Sequence, residues 1–190
     1  MLPRSFYAGD PRDVAKRLLN KVLVHGERSA RIVEVEAYRG EVDPGSHAYR
    51  GETPRIKTMF GPPGGLYVYF TYGMHWCANA VCGDHDGRAV LLRAAAPLTG
   101  IDEMHAARGP TARRDRDLCS GPAKLCQAFG LTGAHDGADL VTADRGVSIV
   151  DDGLAPPRRP GRSTRIGLTA GADHQWRWYV RADPNLSRPG

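Results

Sequence analysis

Between Leu66 and Ala96 three runs rich in β-branched and aromatic residues follow one another with almost nothing between them. Leu66 to Tyr72 and Met74 to Cys82 meet at Gly73, and Ala89 to Ala96 begins after the turn-forming Asp84-His85-Asp86-Gly87. Connections this short allow only antiparallel neighbours, because a parallel pair needs a crossover of about a dozen residues. The meander therefore constrains the fold class more than any other feature. Upstream, Lys21 to His25 and Ala30 to Tyr38 add two strands joined at Gly26-Glu27. The second alternates, with Val33, Val35 and Ala37 pointing one way and Glu34, Glu36 and Tyr38 the other. Two carboxylates thus share one face of one strand.

Helices flank this sheet. Asp10 is placed to cap, Pro11 suits a first helical position and Asp13 favours the positive end of the helix dipole. The apolar face is Val14, Ala15, Leu18 and Leu19, and the helix is expected to end near Asn20. Gly100 to Arg108 predicts a short helix with Ile101 and Met104 inward; Ser120-Gly121-Pro122 opens another, closed by Gly130 after Phe129. Short strands are expected at Val147 to Val150, Arg165 to Leu168 and Trp176 to Arg181, and Pro97 is expected to end the strand before it. Residues 109–117 are charged and 156–163 form a Pro/Arg linker, and both read as disordered loops. With no internal repeat and no second boundary, residues 1–190 read as a single α+β domain, a curved antiparallel sheet with surrounding helices.

No run of 18 apolar residues occurs and Met1 to Ser5 lacks the apolar core of a secretory signal, so an intracellular protein without a membrane span is expected. The net charge is +5, and apart from Lys16, Lys21, Lys57 and Lys124 the basic residues are all arginines. The guanidinium fork suits phosphates, which puts nucleic acid first among partners; an arginine bias of the genome would give the same composition. No cysteine pair among Cys77, Cys82, Cys119 and Cys126 has CxxC spacing, so buried free thiols are expected and no metal site.

Chemistry has several candidate places. Gly40 to Pro63 is a long Gly/Pro-rich loop with His, Tyr, Thr and Arg residues, the kind of segment that is functional more often than idle. In the hairpin, Tyr67, Tyr69 and Thr71 share one face and Val68, Phe70 and Tyr72 the other, with Tyr72 beside the turn. A tyrosine projecting from the tip would suit insertion between base pairs; a ring folded back onto the core fits the same sequence. Glu36 with Tyr38 suits activation of a water beside a stacking ring, and equally a solvated polar face. His47 reads as a surface or a site residue. Arg93, inside the apolar run Val90 to Ala94, is either at an edge or paired with a carboxylate, for which Glu36 is a candidate.

These signals converge in a resemblance. Glu34-Val35-Glu36-Ala37-Tyr38, Ser46-His47-Ala48, Thr53-Pro54-Arg55, Met59-Phe60-Gly61, Leu66-Tyr67-Val68-Tyr69 with Tyr72-Gly73-Met74, Cys77 with Asn79, Leu91-Leu92-Arg93-Ala94 and Ser120 to Cys126 occur in that order. Arg165-Ile166-Gly167 and Trp176 to Tyr179 complete the set. From about Asp13 to Val180 the chain resembles the alkyladenine DNA glycosylases, the 3-methyladenine DNA glycosylases of the mammalian type.

The resemblance implies a partly barrel-like sheet with a protruding, DNA-intercalating hairpin. It implies a monofunctional glycosylase of base excision repair that flips alkylated or deaminated purines from duplex DNA and hydrolyses the N-glycosidic bond. The purines would be 3-methyladenine, 7-methylguanine, hypoxanthine and ethenoadenine. By position, Glu36 would be the general base and Arg93 would help hold the water. Tyr38, His47 and Tyr69 would sandwich the base, Asn79 would crowd the amine of normal guanine, and Tyr72 would fill the vacated place in the duplex. Backbone N–H groups near Gly45 to His47 would meet the purine edge. A monomer acting on double-stranded DNA, without metal or organic cofactor, is implied. Two departures stand out: Arg55-Ile56 where the family usually has Arg-Asn, and Ala96-Pro97 where it often has Glu-Pro. The rivals are a non-catalytic protein that recognises distorted DNA, opposed by Glu36 on the pocket strand, and a hydrolase of free nucleosides, opposed by the basic charge and the Tyr72 wedge.

Overall fold

The computed structural model describes residues 1–189. Its nine strands are β1 (Val22–His25), β2 (Arg28–Arg39), β3 (Gly65–Thr71), β4 (His75–Cys82), β5 (Arg88–Thr99), β6 (Ala138–Asp139), β7 (Val147–Val150), β8 (Gly161–Ser163) and β9 (Arg177–Tyr179). The order is β6-β3-β4-β5-β2-β1-β7, and every pairing is antiparallel. One edge of β2 runs along β5. Its other edge is shared, with β1 on Arg28 to Arg31 and β9 on Glu34 to Glu36, and β8 lies beyond β9. The sheet curves until its end strands β6 and β7 come together, a nearly closed barrel as expected.

Four α-helices occur among the described residues: α1 (Arg4–Tyr7), α2 (Pro11–Leu18), α3 (Ile101–Arg108) and α4 (Pro122–Phe129). The Asp10 carboxylate accepts the Arg12 N–H at 2.9 Å, which satisfies one open donor at the start of α2. The helix stops at Leu18, and Asn20 takes a left-handed φ of +68°. Gly130 closes α4 as expected, at φ +68°. Val14 and Leu18 of α2, Leu19 just after it, and Leu125 and Phe129 of α4 are fully buried in one cluster with Val35, Ala37, Val68, Ala78 and Leu92 of the sheet. These strand residues all belong to one alternating face, which is the main core. Ala48, Ile56 and Met59 of the long loop pack instead on Tyr67, Val81 and Ala89. Ile56, a departure from the family pattern, is therefore an apolar anchor of that loop.

Three local expectations change. Arg165 to Leu168 is a loop and not a strand, because the Arg165 side chain holds it through tertiary contacts described below. The strand lies earlier, as β8, inside the segment read as a linker; Gly161 permits it, since a Cβ there would enter the Tyr179 ring. Pro97 does not end β5, which continues to Thr99; Pro97 sits opposite Ala30 beside a shift in register, a position a proline tolerates. Residues 109–111 and 115–117 form 3-10 turns, with Ala112 and Leu118 buried. Opposite Ala96 lies Arg31, whose guanidinium turns to Asp152 at 2.6 Å. The four cysteines are free and buried, and no helix among the described residues is long and apolar enough to cross a membrane.

Candidate active site

Residues directly opposite in adjacent strands carry side chains on the same face. Tyr67 of β3 lies opposite Asn79 of β4, Asn79 opposite Leu91 of β5, and Leu91 opposite Glu36 of β2. One row thus crosses four strands on the face away from the main core. Tyr69 and Tyr38 stand two residues from Tyr67 and Glu36 and so join the same face. The long loop lays Gly45, His47 and Met59 over this row, and Leu168 closes it from the C-terminal side. The result is a small concave pocket between the sheet and the loop.

Tyr38, His47, Tyr69 and Asn79, singled out from sequence, all line that pocket. His47 meets Tyr69 edge to face with ring centroids 4.5 Å apart, and Tyr67 stacks on Tyr69 at 5.4 Å. Burial, and then the nearby Arg55 cation, push His47 below its ordinary range, so the neutral imidazole dominates at neutral pH. Burial pushes the Tyr67 phenol up to about 12 and raises Tyr69 further. Burial and then the Glu36 charge raise Tyr38. The walls are therefore uncharged, electron-rich rings, which suit a flat base and attract a cationic one. Asn79 is held by its Nδ2, which donates to the Tyr67 carbonyl at 3.2 Å.

Glu36 and Glu34 are both fully buried, so the solvated-face reading of this strand does not hold. Their surroundings differ. Glu36 accepts the Tyr38 hydroxyl at 2.9 Å on Oε2, and on Oε1 the Ile166 N–H at 2.8 Å, with Arg93 Nη1 at 3.3 Å. Glu34 accepts Arg177 Nε and the Ser187 hydroxyl, each at 2.7 Å, and Arg93 Nε at 3.0 Å on one oxygen, and the Ser187 N–H at 2.7 Å on the other. Burial alone would raise the Glu34 carboxyl; the hydrogen bonds from Arg177 and Ser187 overcome it and hold it below the usual carboxylate range. Glu34 is held by two arginines and both donors of Ser187, whereas Glu36 has one arginine, one backbone N–H and the hydroxyl of the pocket-lining Tyr38. Arg93 lies in a central strand, paired with both carboxylates, and shifts of register flank Glu34 beside it. Such irregularities re-aim side chains near sites.

Tyr72 is 82% exposed at the hairpin tip, so its ring does not fold back onto the core. The connection is Tyr72-Gly73-Met74, with Tyr72 at φ +50° and Gly73 at φ +66°. A left-handed conformation is uncommon for a bulky residue. Met74 and part of Phe70 are exposed beside it, while Phe70 rests on Trp76 at 4.7 Å. Arg55 donates to the Phe70 carbonyl at 3.1 Å and ties the long loop to the hairpin.

A family model described as methylpurine-DNA glycosylase matches residues 5–184. The chain belongs to the methylpurine-DNA glycosylase family. A protein of Burkholderia lata carrying the name "Putative 3-methyladenine DNA glycosylase" is 56% identical over 191 residues, covering 100% of this chain and 92% of the relative. Relatives of the same name from Agrobacterium fabrum and Streptomyces avermitilis are 45% and 44% identical, each covering 98% of this chain and 92% and 90% of their own lengths. A methylpurine-DNA glycosylase is a hydrolytic DNA N-glycosylase of DNA repair, and DNA is its substrate.

Within this methylpurine-DNA glycosylase, sequence reasoning missed Tyr67, Met59 and Leu168 in the pocket and the Arg177–Ser187 support of Glu34. Tyr67 was within reach, being two residues before Tyr69 on the same face. Leu168 and Ser187 arrive through loops whose course is set by tertiary contacts.

Proposed function

We propose that this glycosylase flips an alkylated or deaminated purine out of duplex DNA and hydrolyses its N-glycosidic bond with a water activated by Glu36. The substrates are 3-methyladenine, 7-methylguanine, hypoxanthine and ethenoadenine, and the product is an abasic site. The protein acts as a monomer on intracellular double-stranded DNA, with no metal or organic cofactor. One observation carries this reading: the 2.9 Å hydrogen bond from the Tyr38 hydroxyl to Glu36 links a buried carboxylate to the wall of an uncharged aromatic pocket.

A base inside the duplex is unreachable, so the nucleotide is extruded at a cost of a few kcal/mol, least for damaged or mispaired bases. Arginine contacts to phosphates supply salt-dependent affinity. Tyr72 fills the gap in the stack, and Tyr38, His47 and Tyr69 hold the base. Glu36 takes a proton from water, whose oxygen bonds to the sugar C1′ as the bond to the base breaks. The departing base keeps the electron pair, and Arg93 keeps Glu36 and the water aligned. No lysine is among the described residues that line the pocket, which supports hydrolysis without a covalent lysine intermediate and an intact strand.

The deciding experiment is base release from duplexes carrying each of the four lesions, with the free nucleosides alongside. Release from duplex only is expected. Binding without release would make the protein a non-catalytic reader of damage, and release from nucleosides would make it a nucleoside hydrolase.

Two variants test the specificity elements. Tyr72→Ala should weaken binding to lesion duplex while shifting stability by no more than about 0.5 kcal/mol, the scale of surface substitutions. A large drop in melting temperature would make Tyr72 a structural residue. Asn79→Ser should raise removal of normal guanine relative to hypoxanthine, because the side chain that crowds the exocyclic amine is shortened. An unchanged ratio would remove the steric account.

A further inference from the structure

The side chains of Arg165 and Asp43 are wholly buried, and no step above uses either. Arg165 grips Asp43 with both ends of its fork, Nη1 at 2.5 Å and Nη2 at 2.8 Å. Nη1 also donates to the Ala37 carbonyl at 3.0 Å and Nη2 to the Gly171 carbonyl at 3.1 Å. The guanidinium carbon lies 4.7 Å from the centre of the Tyr38 ring and 5.0 Å from that of Trp176. Asp43 in turn accepts the backbone N–H groups of Arg39 at 3.1 Å and Gly45 at 3.0 Å. A Cβ at residue 45 would stand 2.7 Å from Arg165 Nη2, so glycine is needed for the turn to approach the guanidinium. The residue after Arg165 donates its N–H to Glu36.

These contacts join three separate stretches of chain. Ala37 and Tyr38 lie on β2 beside Glu36, Asp43 and Gly45 begin the loop that carries His47, and Arg165 opens the loop that ends in Leu168. We infer that Arg165 and Asp43 are a positioning pair for base excision, fixing the Tyr38 ring, the Gly45 turn and Glu36 as one wall. This rests on the function proposed above. A buried ion pair is a poor source of stability, since apolar replacements of the same volume often serve as well. A bidentate fork does impose a single geometry, which an ammonium does not. Tyr38 makes that geometry matter, because one face of its ring borders Arg165, the residue lines the pocket and its hydroxyl sits on Glu36. Any tilt of this ring moves the base and the carboxylate together.

The test uses Arg165→Lys, which keeps the charge and loses the fork, and the double variant Asp43→Asn/Arg165→Gln, which removes both charges. Single-turnover release, affinity for lesion duplex, affinity for a duplex holding a tetrahydrofuran abasic analogue, and melting temperature are measured for each. Misplacement of a reacting group by about 1 Å costs on the order of 100-fold. Both variants should therefore lose release by about 10–100-fold and bind lesion duplex more weakly. Affinity for the abasic analogue, which offers no base to hold, should stay within about twofold of the parent, and the double variant should keep its melting temperature. Wild-type release from either variant overturns the inference. So does a parallel fall of release, abasic affinity and melting temperature, which would make the pair structural only. If the parent protein releases no base from any lesion, the proposed function fails instead. The positioning claim is then decided by NMR, where Tyr38 ring flips should be faster in the double variant than in the parent, and equal rates would overturn it.

Discussion

Glu36→Gln should leave a folded protein that binds lesion duplex and releases base about 10²–10⁴-fold more slowly, the usual contribution of a positioned general base. The local geometry favours a clean result. The glutamine oxygen can keep the Ile166 N–H and Arg93 contacts of Oε1, and its amide can donate to the Tyr38 hydroxyl oxygen where Oε2 now accepts. Arg93 is not stranded, because it remains paired with Glu34 at 3.0 Å. The substitution therefore removes the proton acceptor and little else. Single-turnover release measured beside direct binding separates the two effects. An unchanged rate would move the base elsewhere, with Glu34 the neighbouring carboxylate.

The same exchange two residues earlier should show the opposite profile. Glu34 is the common partner of Arg93 and Arg177 in a site closed to solvent. Glu34→Gln leaves the buried Arg177 without its carboxylate partner and Arg93 with Glu36 alone. Breaking a buried pair from one side costs about 3–5 kcal/mol, a large share of the roughly 5–15 kcal/mol that holds a domain folded. The melting temperature should fall sharply, while release per folded molecule changes far less than in Glu36→Gln. Acid gives an independent check. The Glu34 carboxyl is held below its ordinary value of 4.5. Its stabilisation is then complete above that value and disappears as pH falls through the lowered folded one. Asp43 adds a similar loss starting below 3.8, its hydrogen bonds to Arg165 having overcome the rise that burial alone would bring. In Glu34→Gln the first component should be missing from a plot of stability against pH. If both proteins lost stability alike below 4.5, Glu34 would not be the group responsible.

The two glutamates also mark how far sequence carries. The alternation along Ala30 to Tyr38 put both on one face, and that face is the pocket's. Nothing local distinguishes them. The difference comes from Arg177 and Ser187, which lie 143 and 153 residues further along the chain. The choice of Glu36 thus came from resemblance, as did His47 and Asn79, whereas the position of Tyr72 was legible from the hairpin itself. Arg165-Ile166-Gly167-Leu168 reads as a strand because polar and apolar residues alternate there. The fold instead spends the Arg165 side chain on Asp43, and the backbone stays irregular. Strand β8 was hidden for the converse reason, since its Pro/Arg-rich surroundings mask a short stretch whose pairing depends on Gly161 lying against Tyr179.

Strand β2 has a consequence for how such a chain can change over time. Glu34, Glu36 and Tyr38 alternate on it with Val35 and Ala37, and both sets are committed, one to the pocket side and one to the main core. An inserted or deleted residue between Val35 and Arg39 would turn over the residues on one side of it, driving Glu36 or Tyr38 toward the core, or Val35 or Ala37 toward the pocket. Within that stretch every residue pairs with β5 in unbroken register, whereas the shifts after Ser29 and around Glu34 mark where the strand already holds an irregularity. Length variation is therefore closed to this stretch and open at the hairpin tip, where an extra residue alters how far Tyr72 reaches. Descendants of this chain can remodel how they probe the duplex by lengthening or shortening that tip, while the stretch that carries Glu36 can change only by substitution.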